Sequence, residues 1–239
     1  MTEGLSKELH KLIRLYVEGD LSPRQSLTLS QAQSHYLGNV MRRKVGDALR
    51  LFNGRDGEYV ARIESLSKKE VTVVAEDLIR EQPPAPQAAR LLVAPIKKAR
   101  MDFLIEKAVE MGMTDFYTVL TQNTEVRTVN FDRIQAQLIE AAEQCERLDI
   151  PRVHRLLKLK ETVDAWDAPE QLYAAIEHGD NVHMREQGDV HAVMIGPEGG
   201  FTEEEKNWLA SHPKVKCISL GVRILRAETA ALAALAWMR

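Results

Sequence analysis

Two stretches near the C-terminus share one build, and that build constrains the fold more than anything else in the chain. In each, a short apolar run meets a glycine-containing turn, and a helical pattern follows. His191–Ile195 runs into IGPEGGFTEEE (Ile195–Glu205), and Val215–Leu220 runs into LGVRILRAETA (Leu220–Ala230). Gly196, Gly199 and Gly200 permit a sharp turn and a close approach of backbone to a ligand, and Pro197 stiffens that turn. Thr202 with Glu205 predicts a capping box, and Glu203 and Glu204 sit where the helix dipole favours them. Three glutamates at a helix N-terminus argue against bound phosphate and for a neutral or cationic ligand. On pattern alone, a purely structural strand-to-helix turn is the plainer account.

The rest of the second half repeats the alternation. Leu91–Ala94 reads as a strand, Pro95–Arg100 as a basic loop, and Met101, Leu104, Ile105, Ala108 and Met111 as one buried helix face closed by Gly112. Phe116–Leu120 is a further strand. Phe131–Leu148 is a helix with Ile134, Leu138, Ala141, Cys145 and Leu148 inward, ended before Pro151. Leu172–Ile176, His191–Ile195 and Val215–Leu220 complete the strands, and Glu228–Met238 is a closing helix. Alternating β and α elements predict an α/β layer with a mostly parallel sheet, whose ligands bind at the carboxyl ends of its strands.

The first half reads differently. Residues 1–12 look like a polar extension. Ile13–Val17 and Leu27–Leu29 read as strands. Ser30 with Gln33 opens a helix through about Arg42, with Tyr36, Leu37, Val40 and Met41 inward. Ala48–Phe52, Glu58–Ile63 and Val71–Ala75 follow, with Asn53-Gly54 as a hairpin turn. Short strands and one small helix suggest a compact β-barrel. Glu81–Ala89 (EQPPAPQAA) is a stiff linker. The expected organisation is therefore residues 1–82, a linker at 83–89, and residues 90–239.

Composition excludes more than it selects. The 239 residues are 44% hydrophobic and 28% charged, which is ordinary for a globular protein. No apolar run approaches the ~20 residues of a membrane span. The start, MTEGLSKELHKL, lacks the apolar core of a signal peptide, so a cytoplasmic protein is expected. Cys145 and Cys217 lack metal-ligand spacing and read as buried free thiols, and no metal site is expected. Net charge is −3, with 13 basic and 12 acidic side chains in residues 1–83 against 19 and 23 in the remainder. Nucleic-acid binding would thus rest on local patches, such as Arg42-Arg43-Lys44 with Arg14, Arg24 and His35. A solvated helix end explains the same cluster.

The literal residues carry more than their pattern. GPEGGFTEEE followed by LGVRILRAETA resembles the C-terminal signature of SPOUT-class RNA methyltransferases. Within that class it resembles the family that methylates N3 of a uridine in 16S ribosomal RNA. HYLGNVMRRKVGD leading into LRLFNG resembles the PUA-like RNA-binding domain of the same family. APIKKARMDFLIEKAVEMG and LIEAAEQCERLDIP match its middle motifs. The likeness spans nearly the whole chain. Two positions depart from it: Thr118 stands where a proline is expected, and Gln122-Asn123 where relatives often carry Glu-Arg.

This resemblance implies a SPOUT domain with a deep trefoil knot, S-adenosylmethionine as methyl donor, and 16S ribosomal RNA or the assembled small subunit as partner. It implies a cofactor pocket lined by Gly196, Pro197, Glu198, Gly199, Leu220, Gly221, Ile224 and Leu225, with Ile176 and Glu177 at the adenosine end. Arg226 would hold the target base or phosphate and stabilise a uridine anion. Glu198 and Glu228 would accept the proton. Structural salt bridges are the alternative for all three. The basic cluster Arg14, Arg24, His35, Arg42, Arg43 and Lys44 would contact RNA. Relatives pair through the closing helix, so a homodimer is expected. A methyltransferase for ribose 2′-hydroxyls or transfer RNA, or a non-catalytic RNA-binding module, would fit the same features. A dinucleotide-dependent oxidoreductase is disfavoured by the lack of a Gly-x-Gly-x-x-Gly turn.

Overall fold

The computed structural model describes residues 9–67, 69–177 and 181–238. Of the polar extension expected over residues 1–12, the first eight therefore lie outside the described residues. The chain divides into two compact units, one of residues up to Ala85 with Ala142–Ile150, the other of Pro86–Ala141 with residues from Pro151 onward. Glu81–Ala89 carries neither helix nor strand. Its three prolines lack the amide donors that either would need.

The first unit holds β1 (Arg14–Tyr16), β2 (Ser26–Thr28), β3 (Ala48–Phe52), β4 (Glu58–Leu66) and β5 (Val71–Arg80) in one sheet ordered β1-β3-β4-β5-β2. Pairing is antiparallel except between β1 and β3. Alternate residues Leu49, Leu51, Ala61, Ile63, Val71 and Val73 are buried together with Leu15 and Leu37. That is the period-two signature of a sheet with one covered face.

Helix α1 (Gln31–His35) starts at the predicted capping box of Ser30 and Gln33. It then widens into a π-helical turn, Tyr36–Val40, marked by the bond from the Met41 N–H to the Tyr36 carbonyl at 2.9 Å. The extra residue rotates the following side chains off the expected face. Of the four residues expected inward only Leu37 is buried, while Tyr36, Val40 and Met41 are 39%, 58% and 39% exposed.

The second unit is a six-stranded parallel sheet ordered β11-β9-β10-β6-β7-β8. Its strands are β6 (Arg90–Val93), β7 (Asp115–Leu120), β8 (Arg152–Lys158), β9 (Leu172–Ala175), β10 (Ala192–Ile195) and β11 (Val215–Ile218). Five were expected; β8 was not. Its helices are α2 (Lys98–Glu110), α4 (Leu159–Asp164), α5 (Glu203–Ser211), α6 (Ala227–Trp237) and all but the last three residues of α3 (Phe131–Gln144), which count with the first unit. Gly112 ends α2 at φ +90°, as expected of a left-handed cap. Met111, expected inward, is 38% exposed because Val109 and Met113 fill the interior there instead. Cys145 and Cys217 are free but only half-buried. From β11 at the sheet edge the chain returns so that α6 packs on α2, β6 and β10.

Candidate functional site

The strands β10, β9 and β11 are neighbours, so the segments leaving their carboxyl ends converge. Between them lies a cavity of about 590 Å³, within the usual range for small-molecule sites. Ile176 and Glu177 reach it from β9. Gly196, Pro197, Glu198 and Gly199 reach it from β10. Leu220, Gly221, Ile224 and Leu225 reach it from β11. Every residue singled out for cofactor contact thus lines one cavity.

Its walls are largely backbone, for local reasons. Gly200 has φ +67° and Gly221 φ +112°, conformations that a Cβ would strain. The Gly200 N–H donates to the Pro197 carbonyl at 2.9 Å and closes the first turn. The second is held by Ser219, whose Oγ accepts from the Gly221 N–H at 3.1 Å. Helix α5 begins at the predicted capping box, with the Thr202 hydroxyl accepting from the Glu205 N–H at 3.2 Å and the Glu205 carboxylate accepting from the Thr202 N–H at 3.0 Å. Buried Ile176, Ile195 and Phe201 supply an apolar floor, while Ile224 is 66% exposed.

Charge gathers on one side. Arg100 lines the cavity and pairs with Glu198 at 3.1 Å and, more loosely, with Glu228 at 3.8 Å. Glu228 is 9% exposed, and its Oε2 has no hydrogen-bond partner among the described residues. Glu198 lines the cavity, whereas Glu228 stands beside it through Arg100. Arg226, the N-cap residue of α6, is exposed and lines the cavity. Arg100 was not singled out in the sequence. The available signal was its place in the basic stretch Pro95–Arg100 after β6, expected as a loop, of which Lys98–Arg100 form the first turn of α2.

The residues fit a sulfonium-bearing nucleoside: the carboxylates of Glu177 and Glu198 stand in the lining among the cations Arg100, Lys206, Arg223 and Arg226, the glycine turns permit close backbone contact, and the apolar floor accepts the face of a flat ring. Among the described residues, no group of three His, Cys, Asp or Glu is placed to hold a metal ion.

The basic cluster of the first unit is partly dispersed. Arg14 is a correction: its side chain is 3% exposed and paired with Glu58. It also donates to the carbonyls of Ala142 and Arg147, and its guanidinium lies 3.6 Å from the Phe52 ring centroid. A guanidinium so occupied offers nothing to a phosphate. Arg24, His35, Arg42 and Lys44 are exposed, and Arg43 is half-buried.

Comparison with known proteins agrees with this geometry. Residues 83–239 match the RNA methyltransferase domain family, and residues 29–76 match the RNA methyltransferase PUA domain family. The ribosomal RNA small subunit methyltransferase E of Rickettsia conorii is 34% identical, covering 96% of this chain and 96% of its own length. The Neisseria gonorrhoeae enzyme of that name, solved bound to S-adenosyl methionine, superposes with a TM-score of 0.81 at 30% identity, over 94% of this chain and 95% of that one. A Legionella pneumophila protein solved in complex with the bound cofactor SAM gives 0.83 at 30% identity, over 95% and 96%. The chain belongs to the ribosomal RNA small subunit methyltransferase E family, with the SPOUT-like catalytic fold and PUA domain of its relatives.

Proposed function

We infer that this chain is an S-adenosylmethionine-dependent methyltransferase of small-subunit 16S ribosomal RNA, and we propose N3 of a uridine as the accepting atom. The observation that carries the reading is the single cavity on which both glycine segments and the β9 end converge. The cofactor supplies an activated methyl group on a sulfonium. The chain's task is to align the two reactants and exclude water.

The turns Gly196–Gly199 and Leu220–Leu225, with Ile176 and Glu177, hold the donor. Arg226, exposed at the cavity, takes the target base and stabilises the anion left when N3 loses its proton. Glu198, in the cavity lining, and Glu228, beside it, take the role of proton acceptor, and Arg100 pairs with both. The domain of residues 1–82, joined through 83–89 to that of 90–239, presents Arg24, His35, Arg42, Arg43 and Lys44 to RNA. The active species is a homodimer, and a ribosomal substrate places it in the cytoplasm. No helix among the described residues is long and apolar enough to cross a membrane.

The test is methyl transfer from labelled S-adenosylmethionine to small-subunit particles and to naked 16S RNA, with the modified position mapped. Gly221→Val should abolish donor binding in calorimetry while the chain stays folded, because φ +112° suits only glycine. Arg42→Glu should weaken RNA binding, flatten its salt dependence and leave donor affinity alone. Undiminished donor binding by Gly221→Val would remove the cavity assignment.

A further inference from the structure

The turn that leaves β7 is tied to the glycine turn by hydrogen bonds that none of these roles uses. Thr121 and Thr124, 4% and 3% exposed, close a tight turn on each other. The Thr121 N–H donates to the Thr124 hydroxyl at 2.9 Å, and the two hydroxyls lie 2.9 Å apart. Gln122 and Asn123 sit between these anchors. The Gln122 N–H donates at 2.8 Å to Oε1 of Glu205, the carboxylate that caps α5. The Asn123 side-chain nitrogen donates to two successive carbonyls, Gly199 at 3.2 Å and Gly200 at 3.1 Å. A Cβ built on Gly199 would lie 3.3 Å from the Asn123 Cβ, so the two turns are in close contact.

We propose that Asn123 is a positioning residue for the methyl-donor pocket, holding the glycine turn in its ligand-binding conformation. In a trans peptide the carbonyl and the following N–H point in opposite directions. Pinning the Gly199 and Gly200 carbonyls therefore sets two successive peptide planes, and with them the directions of the Gly200 and Phe201 N–H groups. The first of these meets the Pro197 carbonyl at 2.9 Å and closes the turn. Two adjacent glycines have more conformational freedom to lose than any other pair. Untethered, they populate conformers that cannot bind, and apparent affinity falls by the competent fraction. The task needs two N–H donors on one short arm, which a primary amide provides. A carboxylate of the same shape would face two carbonyl oxygens and repel them.

The inference rests on reading the cavity as the donor site, and it assigns a function to Asn123, one of the two positions at which the family resemblance led to an expectation of Glu-Arg. Asn123 is exposed, so its bonds add little to global stability, and affinity separates from folding.

The experiment is calorimetry with S-adenosylmethionine on the full-length wild type, Asn123→Ala and Asn123→Asp, with steady-state kinetics on small-subunit RNA and melting curves. Asn123→Ala should raise Kd and KM for S-adenosylmethionine about fivefold to thirtyfold, the worth of two partly solvated hydrogen bonds. Asn123→Asp should raise them further. In both, kcat at saturating donor should fall by less than KM rises, and KM for RNA and Tm should stay at wild-type values. Unchanged donor affinity in both variants overturns the proposal. So does a parallel loss of kcat, RNA affinity and Tm, which would make Asn123 a general structural residue. A wild-type protein that does not bind S-adenosylmethionine would instead remove the reading of the cavity itself, and this proposal with it.

Discussion

Thr118, inside β7 and 1% exposed, carries a buried hydroxyl that has no hydrogen-bond partner among the described residues. The β7–β8 pairing shifts register between Tyr117 and Val119, so Thr118 sits at an irregularity. Such a place tolerates a residue without an amide donor, which accounts for a proline being expected there. A buried hydroxyl without a partner costs about 1 kcal/mol or more. Thr118→Val should therefore raise stability by roughly 1 kcal/mol, read as a higher urea midpoint at unchanged slope. A lower midpoint would mean that the hydroxyl has a partner after all. Arg14 shows the opposite case of a polar group in a sheet. It reads as a surface cation, yet Arg14, Arg50 and Arg80 all pair with the fully buried Glu58. The legible signal was an arginine flanked by Ile13 and Leu15 and a glutamate heading the strand EYVARI, because a charge inside an apolar strand needs an opposite charge.

Elements marked by specific backbone chemistry were legible, and those resting on averaged periodicity were less so. The capping boxes at Ser30 and Thr202, the Gly112 cap and both glycine turns lie where their residues demand. All ten cofactor candidates, named from the family resemblance, meet at one cavity, because the segments that carry them all leave the carboxyl ends of neighbouring strands. The edge strand β8 escaped notice because RVHRLLK interleaves cations with its apolar residues, and none of the seven is fully buried. The π-helical turn escaped because a helical period of 3.6 cannot anticipate an inserted residue. Helix α6 is the element with most left to explain. Its Ala227, Ala230, Ala231, Ala234 and Leu235 are buried, but Leu232, Ala233 and Trp237 are half-buried and Ala236 is exposed. A helix this apolar calls for cover on its remaining side, and its small residues allow close approach of a second copy. Light scattering of active enzyme should give twice the chain mass, and Ala236→Glu should shift it toward the single-chain value. A monomer mass at full activity would exclude the dimer.

Taken as a whole molecule, each compact unit holds a carboxylate kept far below its ordinary pKa, and the two together predict acid lability. In the second unit, burial would raise the Asp115 pKa. Hydrogen bonds from His154, Thr114 and Arg152 outweigh that and bring it from 3.8 to about 2. In the first unit, burial again opposes, while His10 and Arg50 bring Glu146 from 4.5 to about 2. A folded-state pKa below the unfolded value contributes stability that is fully present above the unfolded pKa and is lost as pH falls through the folded one. Both contributions are therefore whole near neutrality and drain away between about pH 4.5 and pH 2. Asp115, 2% exposed at its side chain, accounts for about 2 kcal/mol by its shift. Glu146, a third exposed, accounts for less because solvent screens its partners. The groups tied are structural: Asp115 joins the first residues of β7 and β8 through Arg152 at 2.9 Å, and Glu146 fixes Ala142–Ile150 to β3 through Arg50 at 2.8 Å. Asp115→Asn should lower stability at pH 7 by about 2 kcal/mol and leave a flatter acid profile. The gap to wild type should then close as pH approaches 2. Urea unfolding across that range is the measurement. A gap that stays constant with pH would show that Asp115 acts through its shape and neutral hydrogen bonds, not through its charge.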